Sequence, residues 1–208
     1  MTARGAATLL SLFLGLAALL LQFSLTIPAR LANGDSLPGA LLFFFTFFTI
    51  LTNLMLVLIY LSDLARWRWL TWWRNPVTRG MMFGAITLVM GFYHLILAAT
   101  WDPQGWFKLA DVMLHYITPS LYILWWLLFQ PKGRLRFTDL GWMLLPPTLW
   151  LGWTMLRGAV INEYPYPILE AHRLGYPAVA LNILAVLALL LILFTTTIAL
   201  DRLLAKKR

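Results

Sequence analysis

Cysteine does not occur in this chain, which removes disulfides, thiolate metal sites and a cysteine nucleophile from consideration while leaving the compartment open. Charge is scarce as well: 12% of residues are Asp, Glu, Lys or Arg, and only 8 of the 208 are acidic. No glycine-rich phosphate loop, internal repeat or low-complexity tract appears. No polar stretch between the apolar runs is long enough for a separate soluble domain, so residues 1–208 read as a single domain.

Hydrophobicity is what the chain has in excess. Apolar residues make up 61% of it, against ~45–50% in a soluble domain, and the mean hydropathy is +0.78. An all-α, polytopic integral membrane protein is expected. A spanning helix needs about 20 residues, and six runs qualify: 6–27, 38–61, 78–100, 110–129, 139–157 and 175–199. The first follows Arg4 as a signal peptide would. It is longer than the ~7–15 residues of a signal h-region, and no A-x-A site follows, so it reads as an anchor. Pro38 suits the first turn of the second helix, and Pro146 and Pro147 are expected to kink the fifth.

The net charge of +8 takes its meaning from where the charges sit. Six transmembrane helices with both termini cytoplasmic place Arg4, Arg66, Arg68, Arg74, Arg79, Lys132, Arg134, Arg136, Arg202, Lys206, Lys207 and Arg208 on one side, against Asp63, Asp139 and Asp201. Arg30, Lys108, Arg157 and Arg173 fall on the other side with Asp35, Asp102, Asp111, Glu163 and Glu170. This is a strong positive-inside bias. The basic charge is a topology signal first and a means of holding anionic lipid headgroups second. It is not a nucleic-acid footprint. Trp67, Trp69, Trp72 and Trp73 fit an inner aromatic belt, with Trp101 and Trp106 marking the outer interface.

Polar residues inside the apolar runs single out the candidate site. In FFFTFFTILTN, residues 43–53, Thr46, Thr49 and Asn53 fall within roughly 60° of one helix face. Asp111, His115, Thr118 and Tyr122 form a similar stripe, with the carboxylate one turn before the imidazole it would orient. Asp111 equally suits a plain role at a helix N-terminus. Pro119 loosens the backbone at that depth, as membrane helices tolerate beside a cavity. Gly84, Thr87, Gly91 and His94 share a third face, whose glycines let a neighbour approach. Counted from the helix ends, His94, His115, Asn182 and Thr49 lie ~9 to 17 Å from the outer interface. Residues 162–175, NEYPYPILEAHRLG, read as a stiff, extended outer segment able to cover a pocket below.

A threonine and a histidine at related depths permit nucleophilic attack on an ester, with Asn53, Asn182 or a backbone amide near Pro119 as oxyanion donors. Against this, threonines in membrane helices mostly bond their own carbonyls four residues back.

Three segments, FFTILTN (47–53), LHYITPSLYILWWLLF (114–129) and YPYPILE (164–170), together with the six-span layout, resemble the androgen-induced and androgen-dependent TFPI-regulating membrane proteins, and more closely their bacterial branch. The resemblance implies a polytopic hydrolase of lipid esters, acting in animal members on fatty acid esters of hydroxy fatty acids, and for this chain a bacterial cytoplasmic membrane. It puts the catalytic threonine on Thr49 and the catalytic histidine on His115, with membrane lipids around the protein and a lipid ester as substrate. The spacing from the histidine to the following proline departs from the animal pattern, which bears on substrate more than on fold. No metal or cofactor is required by this reading. Two other classes stand beside it: a b-type haem protein ligated by His94 and His115, and a transporter, lipid-binding or scaffolding protein whose stripes line a path or hold helices together.

Overall fold

The computed structural model describes residues 2–205, all of whose regular structure is helical. Lys206, Lys207 and Arg208, counted above in the basic tail, lie outside the described residues. The helices are α1 (Ala3–Ala32), α2 (Leu37–Thr46), α3 (Phe48–Ala65), α4 (Pro76–Phe92), α5 (Trp106–Val112), α6 (Thr118–Phe129), α7 (Leu140–Ile161), α8 (Ala171–Leu174) and α9 (Tyr176–Ala205). Helix α4 runs on into a π-helical turn at Tyr93–Leu97, and α5 joins α6 through another at Met113–Ile117.

Five helical stretches are long and apolar enough to cross a membrane: Ala3–Ala32, Phe48–Ala65, Pro76–Leu97, Trp106–Phe129 and Tyr176–Ala205. The fifth expected run forms the helix α7, which continues through Pro146 and Pro147. Two prolines, Arg157 and three tryptophans lower its hydropathy below that of the other five.

The second expected run is corrected more deeply. Phe47 has extended backbone, φ −73° and ψ 126°, and divides it into α2 and α3. Neither proline nor glycine lies at the break. The backbone groups it uncovers find partners far along the chain, as backbone polar groups shielded from water must: Trp150 Nε1 donates to the Thr46 carbonyl at 2.8 Å, and the Thr49 N–H donates to the Tyr166 hydroxyl at 3.3 Å.

Local chemistry accounts for the ends that do have signals. Ser36 caps α2 by accepting from the Gly39 amide at 3.2 Å, and Asn75 caps α4 by accepting from Val77 at 2.9 Å, each with a proline in the first turn. Pro119 cannot donate to the His115 carbonyl and would crowd it. The turn ahead of it is widened accordingly.

Below the break the helices close on a solid core of Leu56, Ile59, Tyr60, Met82, Ile86, Tyr122, Trp125 and Phe194. Gly84 lets α9 lie against α4: a Cβ there would be 2.5 Å from Phe194. Gly91 meets nothing comparable. Apolar residues on the outer faces of α1 and α9, such as Phe13, Leu20, Leu181 and Ile192, stay exposed, as lipid-facing positions would.

Candidate functional site

The break at Phe47 sets the chemistry of Thr49. Thr8, Thr46, Thr52, Thr87, Thr148 and Thr197 each donate their hydroxyl to the carbonyl four residues back at 2.6–2.8 Å. Thr49 stands in the first turn of α3, and the residue four behind it, Phe45, belongs to α2 across the break. Its Oγ1 lies instead 3.3 Å from Nε2 of His115 and 3.4 Å from the Tyr166 hydroxyl.

His115 sits in the π-helical turn ahead of α6. Its Nδ1 is 3.0 Å from the Asp111 carbonyl oxygen and 3.1 Å from Asp111 Oδ1. Both are acceptors, so the neutral ring carries its proton on Nδ1 and leaves Nε2 to accept. Asp111, 5% exposed, also accepts a short hydrogen bond from the Tyr93 hydroxyl. The Tyr93 ring lies flat on the imidazole, centroids 3.9 Å apart and planes 14° from parallel. Position, tilt and tautomer of His115 are thus fixed from three sides.

The loop at 162–175 closes over this group. The expected extended form is corrected: Pro167–Leu169 is a 3-10 turn, followed at once by α8. Tyr166 points from it into the protein between Phe47 and Trp150, at ring distances of 5.9 and 6.1 Å. Burial raises its phenol above the ordinary value, and hydrogen bonds with Thr49 and the Phe48 and Thr49 backbone pull it only part of the way back. Arg157 and Arg30 grip Glu163 at 2.6 and 2.8 Å, and Asn182 Nδ2 donates to the Ile168 carbonyl at 2.9 Å.

A cavity of about 470 Å³ reaches from Gln22, Thr26 and Arg30 past Phe43 and Phe47 to Thr49, His115 and Tyr166. A narrower one of about 70 Å³, walled by Leu88, Phe92, Trp150, Ile183 and Leu187, meets the same three residues from the other side.

The structure therefore brings Thr49, His115 and Asp111 together and sends the other sequence candidates elsewhere. Thr46 belongs to a different helix from Thr49, which corrects the shared face; its hydroxyl bonds Leu42. Asn53 donates to the Thr49 and Leu114 carbonyls at 2.8 and 3.2 Å and accepts a short bond from Thr118. It fastens α3 to the turn bearing His115 and has no N–H left for an oxyanion. Asn182 braces the loop. His94 is exposed, 3.1 Å from the Tyr116 hydroxyl, away from both cavities.

Tyr93 and Tyr166 were missed by sequence reasoning. The π-helical turn puts Tyr93 inward where simple periodicity favoured its neighbour His94. For Tyr166 the signal was present in the repeated Tyr-Pro units, without indicating which tyrosine turns in. No group of three or more His, Asp or Glu placed to hold a metal occurs among the described residues. In comparisons with known proteins, the chain matches no family model, no curated sequence and no solved structure at a significant level.

Proposed function

We propose that this protein is an intramembrane hydrolase of lipid esters, with Thr49 as nucleophile, His115 as general base and then acid, and Asp111 orienting the imidazole. The observation that carries the reading is a threonine hydroxyl released from its backbone, 3.3 Å from the accepting nitrogen of a histidine whose other nitrogen is held by a buried carboxylate. Nucleophile, base and orienting group in that order are what serine- and threonine-based acyl transfer requires, and a contact slightly beyond 3.2 Å is usual without substrate. His115 takes the hydroxyl proton as Thr49 attacks the ester carbonyl. The alcohol leaves with that proton, and water releases the acid from the acyl-threonine. The larger cavity, about 470 Å³, is of the size that holds a small amphiphile.

The resemblance given above points the same way, to fatty acid esters of hydroxy fatty acids or related acyl esters. With it go six spans, α7 added to the five above, both termini on the cytoplasmic side, and a bacterial inner membrane. Passage through the protein is disfavoured by the core beneath Thr49, where Tyr60, Tyr122 and Trp125 are 2% exposed or less. A bis-histidine haem is disfavoured because both nitrogens of His115 already have partners.

The test is labelling of detergent-purified protein with a fluorophosphonate. An adduct on Thr49 in the wild type, absent from folded Thr49→Ala and His115→Ala, is expected. A wild type that takes no label removes the hydrolase and leaves lipid binding or scaffolding.

A further inference from the structure

An oxyanion formed at this site needs hydrogen-bond donors. Asn53 spends both N–H groups on carbonyls, Asn182 donates to the Ile168 carbonyl and lines neither cavity, and Tyr93 donates to Asp111. We propose that Tyr166 is a catalytic residue, its phenol O–H and the Thr49 backbone N–H together binding the oxyanion that forms when Thr49 attacks an ester. This assignment rests on the hydrolase reading.

The first N–H groups of a helix lack intrahelical acceptors. In α3 the Ile50 and Leu51 amides both turn back to the Phe47 carbonyl at 3.1 Å, and the Thr49 N–H is directed at the Tyr166 oxygen, 3.3 Å away. That oxygen is also 3.4 Å from Thr49 Oγ1. Three atoms thus surround the small volume into which an ester attacked by Oγ1 must swing its carbonyl oxygen. The phenol accepts from Thr49 N–H and so keeps its own proton free to donate. Both contacts are at the long end for hydrogen bonds. They are readily exchanged for a charged oxygen at ~2.7–3.1 Å from each donor.

The donor is also held ready. Pro165 and Pro167 flank it, Phe47 and Trp150 meet its ring, and the Glu163 ion pairs and Asn182 fix the loop on either side. Burial keeps the phenol protonated through the range in which histidine works as a base. In an apolar, water-poor site a fixed donor of this kind is worth far more than in water.

The step balances without a further reagent. As the Oγ1–carbon bond forms, the proton of Thr49 passes to His115 Nε2 and the carbonyl π pair moves onto oxygen, between Tyr166 and the Thr49 amide. Collapse returns that pair, breaks the ester C–O bond and delivers the proton to the departing alkoxide. Water then repeats the sequence on the acyl-threonine, and Tyr166 keeps its proton throughout.

The experiment compares full-length wild type and Tyr166→Phe in detergent, using 4-nitrophenyl octanoate for turnover, an octyl trifluoromethyl ketone as a mimic of the oxyanion, and the fluorophosphonate to report on Thr49. Phenylalanine preserves the ring contacts, and a thermal melt checks that the fold is kept. Expected for Tyr166→Phe is a loss of roughly 10²–10³ in kcat, a matching loss in affinity for the ketone, and KM within about threefold. Unchanged kcat and ketone affinity, with Thr49 still labelled, overturns the role of Tyr166 and leaves the hydrolase standing. No label on wild-type Thr49 overturns both.

Discussion

At the scale of single residues, Asp111 and Thr49 show how little separates an ordinary polar group from one placed as the proposed chemistry requires. Asp111 is four residues before His115, where any carboxylate on a helix would meet an imidazole. What changes its meaning is burial and the Tyr93 hydroxyl, which leave one oxygen aimed at Nδ1. Asp111→Asn presents an amide that can donate to Nδ1 and so favours the tautomer with its proton on Nε2, where it cannot accept from Thr49. Turnover of 4-nitrophenyl octanoate should fall by roughly 10²–10⁴ in kcat with little change in KM. The Asp111 backbone carbonyl still holds Nδ1 at 3.0 Å, which places the expected loss nearer the smaller figure. A wild-type kcat would show that the carboxylate is only a helix-end charge.

At the scale of elements, the site is made by irregularity. One extended residue starts α3 afresh ahead of Thr49, and two π-helical turns present Tyr93 and His115; π-bulges recur at functional sites. Each irregularity has a tertiary partner. Trp150→Phe keeps the ring beside Phe48, now at 4.8 Å between centroids, and removes the donor to the Thr46 carbonyl. Leaving that carbonyl unpaired should cost about 1–3 kcal/mol, read as a lower melting temperature, together with reduced labelling of Thr49. Gly84→Ala tests packing away from the site: its Cβ would press on Phe194, which is fully buried between α4 and α9 and has no open space to enter. A destabilisation of about 1–3 kcal/mol is expected, and a neutral effect would mean that the two helices can part.

Across the whole molecule, charge is sorted to two ends. At one, Asp63 takes Arg4 and Arg79 at 2.6 and 2.5 Å, Arg79 reaches Gln130 at 2.8 Å, and Asp201 accepts from the Arg134 and Leu135 amides at 2.7 and 2.9 Å. At the other, Arg30 and Arg157 share Glu163, and Arg173 meets Glu170 at 2.6 Å. The cavity opens among residues of the second end, and the first is closed by the core and the Arg79 cluster. With no native cysteine, single-cysteine variants can report sidedness without background. In inside-out membrane vesicles, an impermeant maleimide should label Thr71→Cys and spare Gln104→Cys. The reverse pattern would invert the proposed orientation.

The sequence by itself determined the all-helical class, the membrane character and the sorting of charge, because each follows from composition or periodicity, and it offered Asp111 as a partner for His115 beside a plain helix-end role. It also marked Thr49, a hydroxyl in an apolar run. Only the tertiary structure decided that the Thr49 hydroxyl is released from its own helix and set beside His115, since the break at Phe47 has no proline or glycine to announce it and is satisfied by Trp150 and Tyr166, each more than a hundred residues away in the chain. The break also hid the fate of Thr46, and partners on other elements hid those of Asn53, His94 and Asn182: a shared helix face says which residues are neighbours on one cylinder, and a hydrogen-bonding group inside a membrane is defined by what the other cylinders bring to it.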